Sequence, residues 1–201
     1  MYVASRLMTL EMSERIRVEA PWLFIAFKER NVKETRGLPG NNPRILEYLS
    51  TVPGLKNIPH KMKVTIDGKS QKVNSGFKLS DVDETSWCAC FVKWCLQGAG
   101  VSTLGMSASA QSWERFGTPL LKPRLGAITV IYKKPSSATA RMTSSGYHVS
   151  FYAGGPPNNP TLFGGNQDNR VCAKEFPGHK VMAYRWPSFF MPAWKTATFV
   201  A

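Results

Sequence analysis

Ser86-Trp87-Cys88-Ala89-Cys90-Phe91-Val92-Lys93-Trp94-Cys95-Leu96 is apolar on nearly every side and is followed closely by Gly98 and Gly100. Serine is a good helix cap and glycine a common stop, so this stretch predicts a helix with Ser86 at its N-cap. A helix apolar all round has no face to offer water and belongs in the centre of a domain. Upstream, Pro21 with Trp22, Ile25, Ala26 and Glu29 predicts a helix opened by proline. After a loop over 37–40, a second helix starts at Pro43, capped by Asn41 or Asn42 and burying Ile45, Leu46 and Leu49. Downstream of the central helix, a further helix is expected over 109–116, ending at Gly117.

Beyond Gly117 the pattern changes. Residues 127–132, 147–153, 161–163, 170–174 and 181–186 are short β-branched or aromatic runs separated by Gly, Pro and Asn clusters. They predict the strands of one antiparallel sheet. The Ser, Thr and Ala of 135–146 predict a mobile loop between the first two. Helices first and strands afterwards indicate an α+β domain, its helices packed on the sheet. One domain over 1–201 is expected, with an N-terminal extension at 1–20, an insertion at 55–80 and a tail at 188–201.

The 201 residues carry 26 Lys+Arg against 13 Asp+Glu, a net charge of +13, with 43% hydrophobic and 11% aromatic residues. That apolar content excludes a disordered polar chain. The longest apolar runs, 22–27 and 127–132, fall far short of the roughly 18 residues that span a bilayer, so no membrane insertion is expected. The charge predicts attraction to nucleic acid, an acidic membrane surface or an anionic polymer, and does not choose among them. It is concentrated in 55–80, where Lys56, Lys61, Lys63, Lys69, Lys72 and Lys78 face only Asp67. With Asn57, Pro59, Asp67-Gly68 and Gly76, this segment is expected to form a hairpin or long loop. Phe77 is its only aromatic residue, and no helix-turn-helix, zinc-finger or RNA-recognition signature is present, so nucleic acid is not the expected partner. Charged residues scattered from Arg6 to Glu19 leave no apolar core for a signal peptide, which predicts synthesis in the cytoplasm without one.

Cys88, Cys90, Cys95 and Cys172 lack the paired knuckles of a zinc site, and His60, His148 and His179 are isolated; neither a metal nor an organic cofactor is expected. A catalytic thiol needs a base and a group to orient that base. Cys88 lies near a helix start, where free N–H groups and the helix dipole favour a thiolate, although free cysteine is also a common core residue. Cys90, Cys95 and Cys172 are expected in the core. His148 opens the strand Val149-Ser150-Phe151-Tyr152, placed either to reach a cleft or to sit as a satisfied edge histidine. Gly164-Gly165-Asn166-Gln167 ends the next strand. There Asn166 could orient an imidazole as a carboxylate does, with Asp168 as a rival and a simple turn as the plainer role.

These residues resemble the papain-like cell-wall hydrolases of CHAP/NlpC type. The resemblance is carried by Pro21-Trp22, Gly40-Asn41-Asn42-Pro43-Arg44-Ile45, Asp83-Glu84-Thr85-Ser86-Trp87-Cys88 and Phe91-Val92-Lys93-Trp94-Cys95-Leu96. It continues through Ser112-Trp113, Pro123-Arg124-Leu125-Gly126, Gly146-Tyr147-His148-Val149-Ser150-Phe151-Tyr152, Gly164-Gly165-Asn166-Gln167 and Tyr184-Arg185-Trp186-Pro187. It implies a papain-like fold, Cys88 as nucleophile, His148 as general base and Asn166 as the residue orienting it. Trp87, Trp113 and Gln167 become candidate substrate-binding residues, with core packing the competing role for both tryptophans. The implied substrate is peptidoglycan, cut at a stem-peptide amide or the muramoyl-alanine linkage. The setting would be a monomeric lytic enzyme released through a membrane pore, or an injected antibacterial effector with a cognate immunity protein. A non-catalytic wall-binding or tail-associated module is the rival. Many relatives carry glutamine where this chain has Trp87, which leaves the Cys88 N–H and an unidentified second donor to hold an oxyanion.

Overall fold

The computed structural model describes residues 10–35, 41–66, 69–133 and 145–188. The expected 37–40 loop, most of the 135–146 loop and the tail after 188 lie outside them. The chain is α+β, with its helices mostly N-terminal and an antiparallel sheet after them.

Helix α1, Leu10–Glu19, is not anticipated by the sequence pattern, because its apolar residues form no continuous stripe. Ile16 anchors it in the core, and Arg15 pairs with Glu19 one turn on, at 3.1 Å. Helix α2, Pro21–Lys28, starts at its proline as expected and buries Trp22, Leu23 and Ala26. The Trp22 indole N–H donates to the Gly126 carbonyl at 2.7 Å, tying the helix to the entrance of the sheet. Helix α3, Pro43–Ser50, takes Asn42 as its cap, whose side-chain oxygen accepts the Arg44 N–H at 2.9 Å. Buried Glu29 at the end of α2 accepts from the Arg44 guanidinium and, at 2.6 Å, from the Tyr48 hydroxyl. That pairing gives an otherwise costly buried carboxylate its partners.

The central helix, α4, spans Cys88–Gly98 and is buried on almost every side. Lys93, its only charged residue, ends at the Met106 carbonyl, 2.9 Å away. Its cap falls one residue later than the sequence suggests. Trp87, with φ −106° and ψ 8°, occupies the cap position, while Ser86 is exposed and makes no capping bond. A fully buried ring whose N–H donates to Glu34 at 2.9 Å fixes Trp87 there, so packing overrides the cap preference of serine. The helix expected over 109–116 is a 3-10 turn, Ala110–Arg115, that buries Trp113.

Strands β1, Pro59–Ile66, and β2, Lys69–Lys78, form a two-stranded ribbon of their own. The main sheet contains β3, Thr118–Pro119; β4, Ile128–Tyr132; β5, Tyr147–Gly154; β6, Thr161–Gly164; β7, Cys172–Glu175; and β8, Val181–Trp186. Their order is β3-β8-β4-β5-β6-β7, and every pairing is antiparallel. Side chains alternate across it. Ile128, Val130, Val149, Phe151 and Phe163 join the core made with α2, α3 and α4. Ile131, Leu162 and Phe176 form a smaller cluster. Among the described residues, no helix is long and apolar enough to cross a membrane.

Candidate active site

Cys88 is the first residue of α4, and only 1% of it is exposed. The nearby backbone N–H groups of Val149, Ala89 and Cys88 itself favour the thiolate, without a hydrogen bond to the sulfur. Burial outweighs them and pushes the thiol above its ordinary range. Val149 brings the thiol to β5, one residue past His148. Cys90 and Cys95 are fully buried in the core and also raised by desolvation, Cys90 to about 12.

His148 is 2% exposed, and its ring stacks on Phe176 at 5.9 Å. Its Nε2 lies 3.2 Å from Gln167 Oε1. The Gln167 amide nitrogen donates to the carbonyls of Leu162 and Cys172, so its oxygen must be the atom that faces the ring. An amide oxygen only accepts, and the proton between them therefore sits on His148 Nε2. This leaves Nδ1 as the basic nitrogen, buried and without a hydrogen-bond partner. Burial holds the imidazole down at about 4, against a smaller upward pull from Gln167, with nearby Lys174 adding to the depression. The site at pH 7 thus pairs a neutral imidazole with a neutral thiol.

The amide that meets His148 is that of Gln167, not Asn166. Asn166, 3% exposed, makes no bond to His148, and its Oδ1 is buried without a partner. Asp168 is exposed and pairs with Lys174. Asn166, Asp168 and Asn169 all take positive φ, near 57°, 56° and 60°, and this left-handed turn sends Gln167 inward in place of its neighbours. Gln167 is accordingly fully buried behind the histidine and presents no surface to a substrate in this structure; Cys88 and His148 are buried almost as completely. Trp87 and Trp113, both fully buried, are likewise core residues and not cleft walls.

Cys172, expected in the core, is half-buried beside the same turn. Its thiol donates to the Gln167 carbonyl at 3.2 Å, and its own carbonyl accepts from the Gln167 side chain. Cys172 and Leu162 thus hold Gln167 in place, a role no local pattern announces. The glycine pair explains how the turn fits. A Cβ on Gly164 would crowd Ser150, while one on Gly165 would meet the Trp87 ring and lie 2.8 Å from Phe91 Cβ.

Cys88 and His148 approach β5 at consecutive residues, which point to opposite faces of a strand. Val149 joins the helix-side core, whereas the His148 ring lies on Phe176 of the smaller cluster. No hydrogen bond joins the thiol to the ring. Among the described residues, no group of three or more His, Cys, Asp or Glu side chains is placed to hold a metal ion. Compared with known proteins, the chain matches no family model, no curated protein and no solved structure.

Proposed function

We propose that this chain is a thiol-dependent amide hydrolase acting on peptidoglycan, with Cys88 as nucleophile, His148 as proton carrier and Gln167 as the residue that orients His148. The observation that carries the reading is the His148–Gln167 pair. It fixes the tautomer with the proton on Nε2 and leaves the Nδ1 lone pair unbonded, one strand residue from Val149, whose N–H favours the Cys88 thiolate. A papain-like arrangement of CHAP/NlpC type accommodates these elements: nucleophile at the start of a buried helix, base on a strand, amide on the turn after the next strand.

In this mechanism, substrate binding must carry the His148 ring from its place on Phe176 to the Cys88 thiol on the helix side of β5. The Cys88 proton passes to Nδ1 while the sulfur attacks the scissile carbonyl carbon. Amide N–H groups at the start of α4 hold the oxyanion that forms. Nδ1 then returns the proton to the leaving nitrogen, and a thioester remains on Cys88. Water, losing its proton to Nδ1, attacks that thioester and releases the acid with the thiol restored. The bond cut is a stem-peptide amide or the muramoyl-alanine linkage. The setting is a pore-released lytic enzyme or an injected effector, whose immunity protein would cover the Cys88 region.

The test is clearing of a peptidoglycan suspension together with mass analysis of the released fragments. The parent should clear it, and Cys88→Ala should fold and leave it intact; an alanine variant as active as the parent overturns the mechanism. A second reading, a non-catalytic wall-binding module, is favoured by the burial of Cys88 and the missing thiol–imidazole bond. Retention of parent and Cys88→Ala alike on peptidoglycan, with no fragments released by either, would establish it.

A further inference from the structure

The lysine-rich segment folds into a ribbon whose two faces differ. In the register Lys61↔Asn74, Lys63↔Lys72 and Thr65↔Ser70, residues directly opposite share a face. One face therefore carries Lys61, Lys63 and Lys72 among Asn74, Thr65 and Ser70. The other carries Met62 opposite Val73 and Val64 opposite Gln71, with Lys69 at its turn end opposite residue 66. The ribbon leans on the body mainly through the turn Pro53–Asn57 and is largely exposed. Its register sets Lys63 beside Lys72, a like-charge pair that works against strand association. A two-stranded ribbon alone is marginal in water. Among the described residues, no carboxylate forms an ion pair with any of its lysines.

We propose that this lysine face is a docking surface for peptidoglycan, taking the repeated carboxylates of its peptide stems away from the bond being cut. The inference rests on the peptidoglycan reading above for the identity of the polymer. Charge complementarity carries it: three ammonium groups on one face, without an ion-pair partner among the described residues, would relieve their mutual repulsion on a polyanion. Asn74, Thr65 and Ser70 on the same face offer hydrogen bonds to carboxylate and sugar oxygens. The face has no aromatic residue on which a base could stack, which disfavours single-stranded nucleic acid. The smallness of the apolar face, Met62, Val64 and Val73, disfavours insertion into a bilayer.

Binding is measured by co-sedimentation with insoluble peptidoglycan stripped of other wall polymers, using full-length Cys88→Ala so that the matrix survives. The added triple change Lys61→Gln, Lys63→Gln, Lys72→Gln should weaken retention about tenfold at low salt and flatten its salt dependence. The triple arginine counterpart should bind as the parent does, which separates charge from folding. Unchanged retention of the glutamine triple overturns the proposal, as does unchanged retention on peptidoglycan whose carboxylates have been amidated. Tighter binding of the parent to duplex DNA or to anionic phosphatidylglycerol vesicles would also overturn it, in favour of those partners. Turnover of a soluble muropeptide by the triple glutamine variant with Cys88 intact should equal the parent's. If the parent cleaves nothing yet is retained through these lysines, the hydrolase reading fails and the docking surface stands; lysine-independent retention with normal cleavage gives the reverse.

Discussion

The turn behind His148 and the lysine ribbon hold their polar groups in opposite ways. Gln167 is fully buried, and each atom of its amide has an assigned partner: Oε1 to the imidazole, the nitrogen to two carbonyls. The ribbon's lysines lie in water, with no carboxylate opposite them among the described residues. Inside the protein, a polar group must be satisfied one bond at a time, so one substitution can undo the arrangement. On the ribbon, charges act as a sum, are screened by salt, and tolerate single losses. The first region can set the protonation of one nitrogen; the second can only raise the local concentration of an anion.

The hardest blow to this contrast should come from Gly165→Ala. Its new methyl group would run into the Trp87 ring and Phe91, the packing that joins the turn to the start of α4. A loss of about 3 kcal/mol in denaturant unfolding is expected, and a parent-like midpoint would show that this junction yields. Gln167→Leu should follow, stranding the Leu162 and Cys172 carbonyls and freeing the imidazole tautomer. A loss of about 2 kcal/mol is expected, together with a fall of about a hundredfold in turnover. Asn166→Ala should retain most activity and lose only about 1 kcal/mol for its left-handed backbone. If Asn166→Ala were the more damaging of the two in turnover, the reassignment of the orienting residue would be wrong.

Acid gives a third way to probe the buried side. His148 binds its proton near 4 when folded and near 6.5 when exposed, so the unfolded chain takes up more protons between these values. Stability contributed by the neutral ring is complete above pH 6.5 and is lost as pH falls toward 4, on the order of 3 kcal/mol. Parent and His148→Gln should therefore differ in the slope of unfolding free energy across that window. The smallest effect belongs to the ribbon. Lys63→Gln removes the repulsion with Lys72 and should raise the Tm slightly at low salt, with the gain vanishing at high salt.

Much of the architecture was legible because local signals and tertiary packing agree. Pro21 and Pro43 open their helices, Asn42 caps the second, and the apolar run from Cys88 is the central helix. The five anticipated strands are present, joined by the two-residue edge strand β3, which is too short to leave a pattern. Helix α1 was hidden because its stability comes from docking Ile16 and not from an amphipathic stripe. The segment after Ser109 tightened into a 3-10 turn around buried Trp113. At the site, the order of cysteine, histidine and amide was visible, but the choice between neighbouring amides was not. Asn166 and Gln167 are alike in chemistry, and only the path of the left-handed turn separates them.

The sequence by itself therefore determined the α+β class, the centrality of the Cys88 helix, the excess of +13 and its concentration in the 55–80 segment. These follow from periodicity, caps and charge, which act over a few residues. Tertiary structure alone decided that Trp87 caps α4, that Gln167 faces His148, and that Lys63 stands opposite Lys72. Each of these depends on which groups from distant or facing segments share a space. Burial makes that choice consequential at Gln167, whose amide finds three partners while its neighbour Asn166 leaves Oδ1 buried and unpaired.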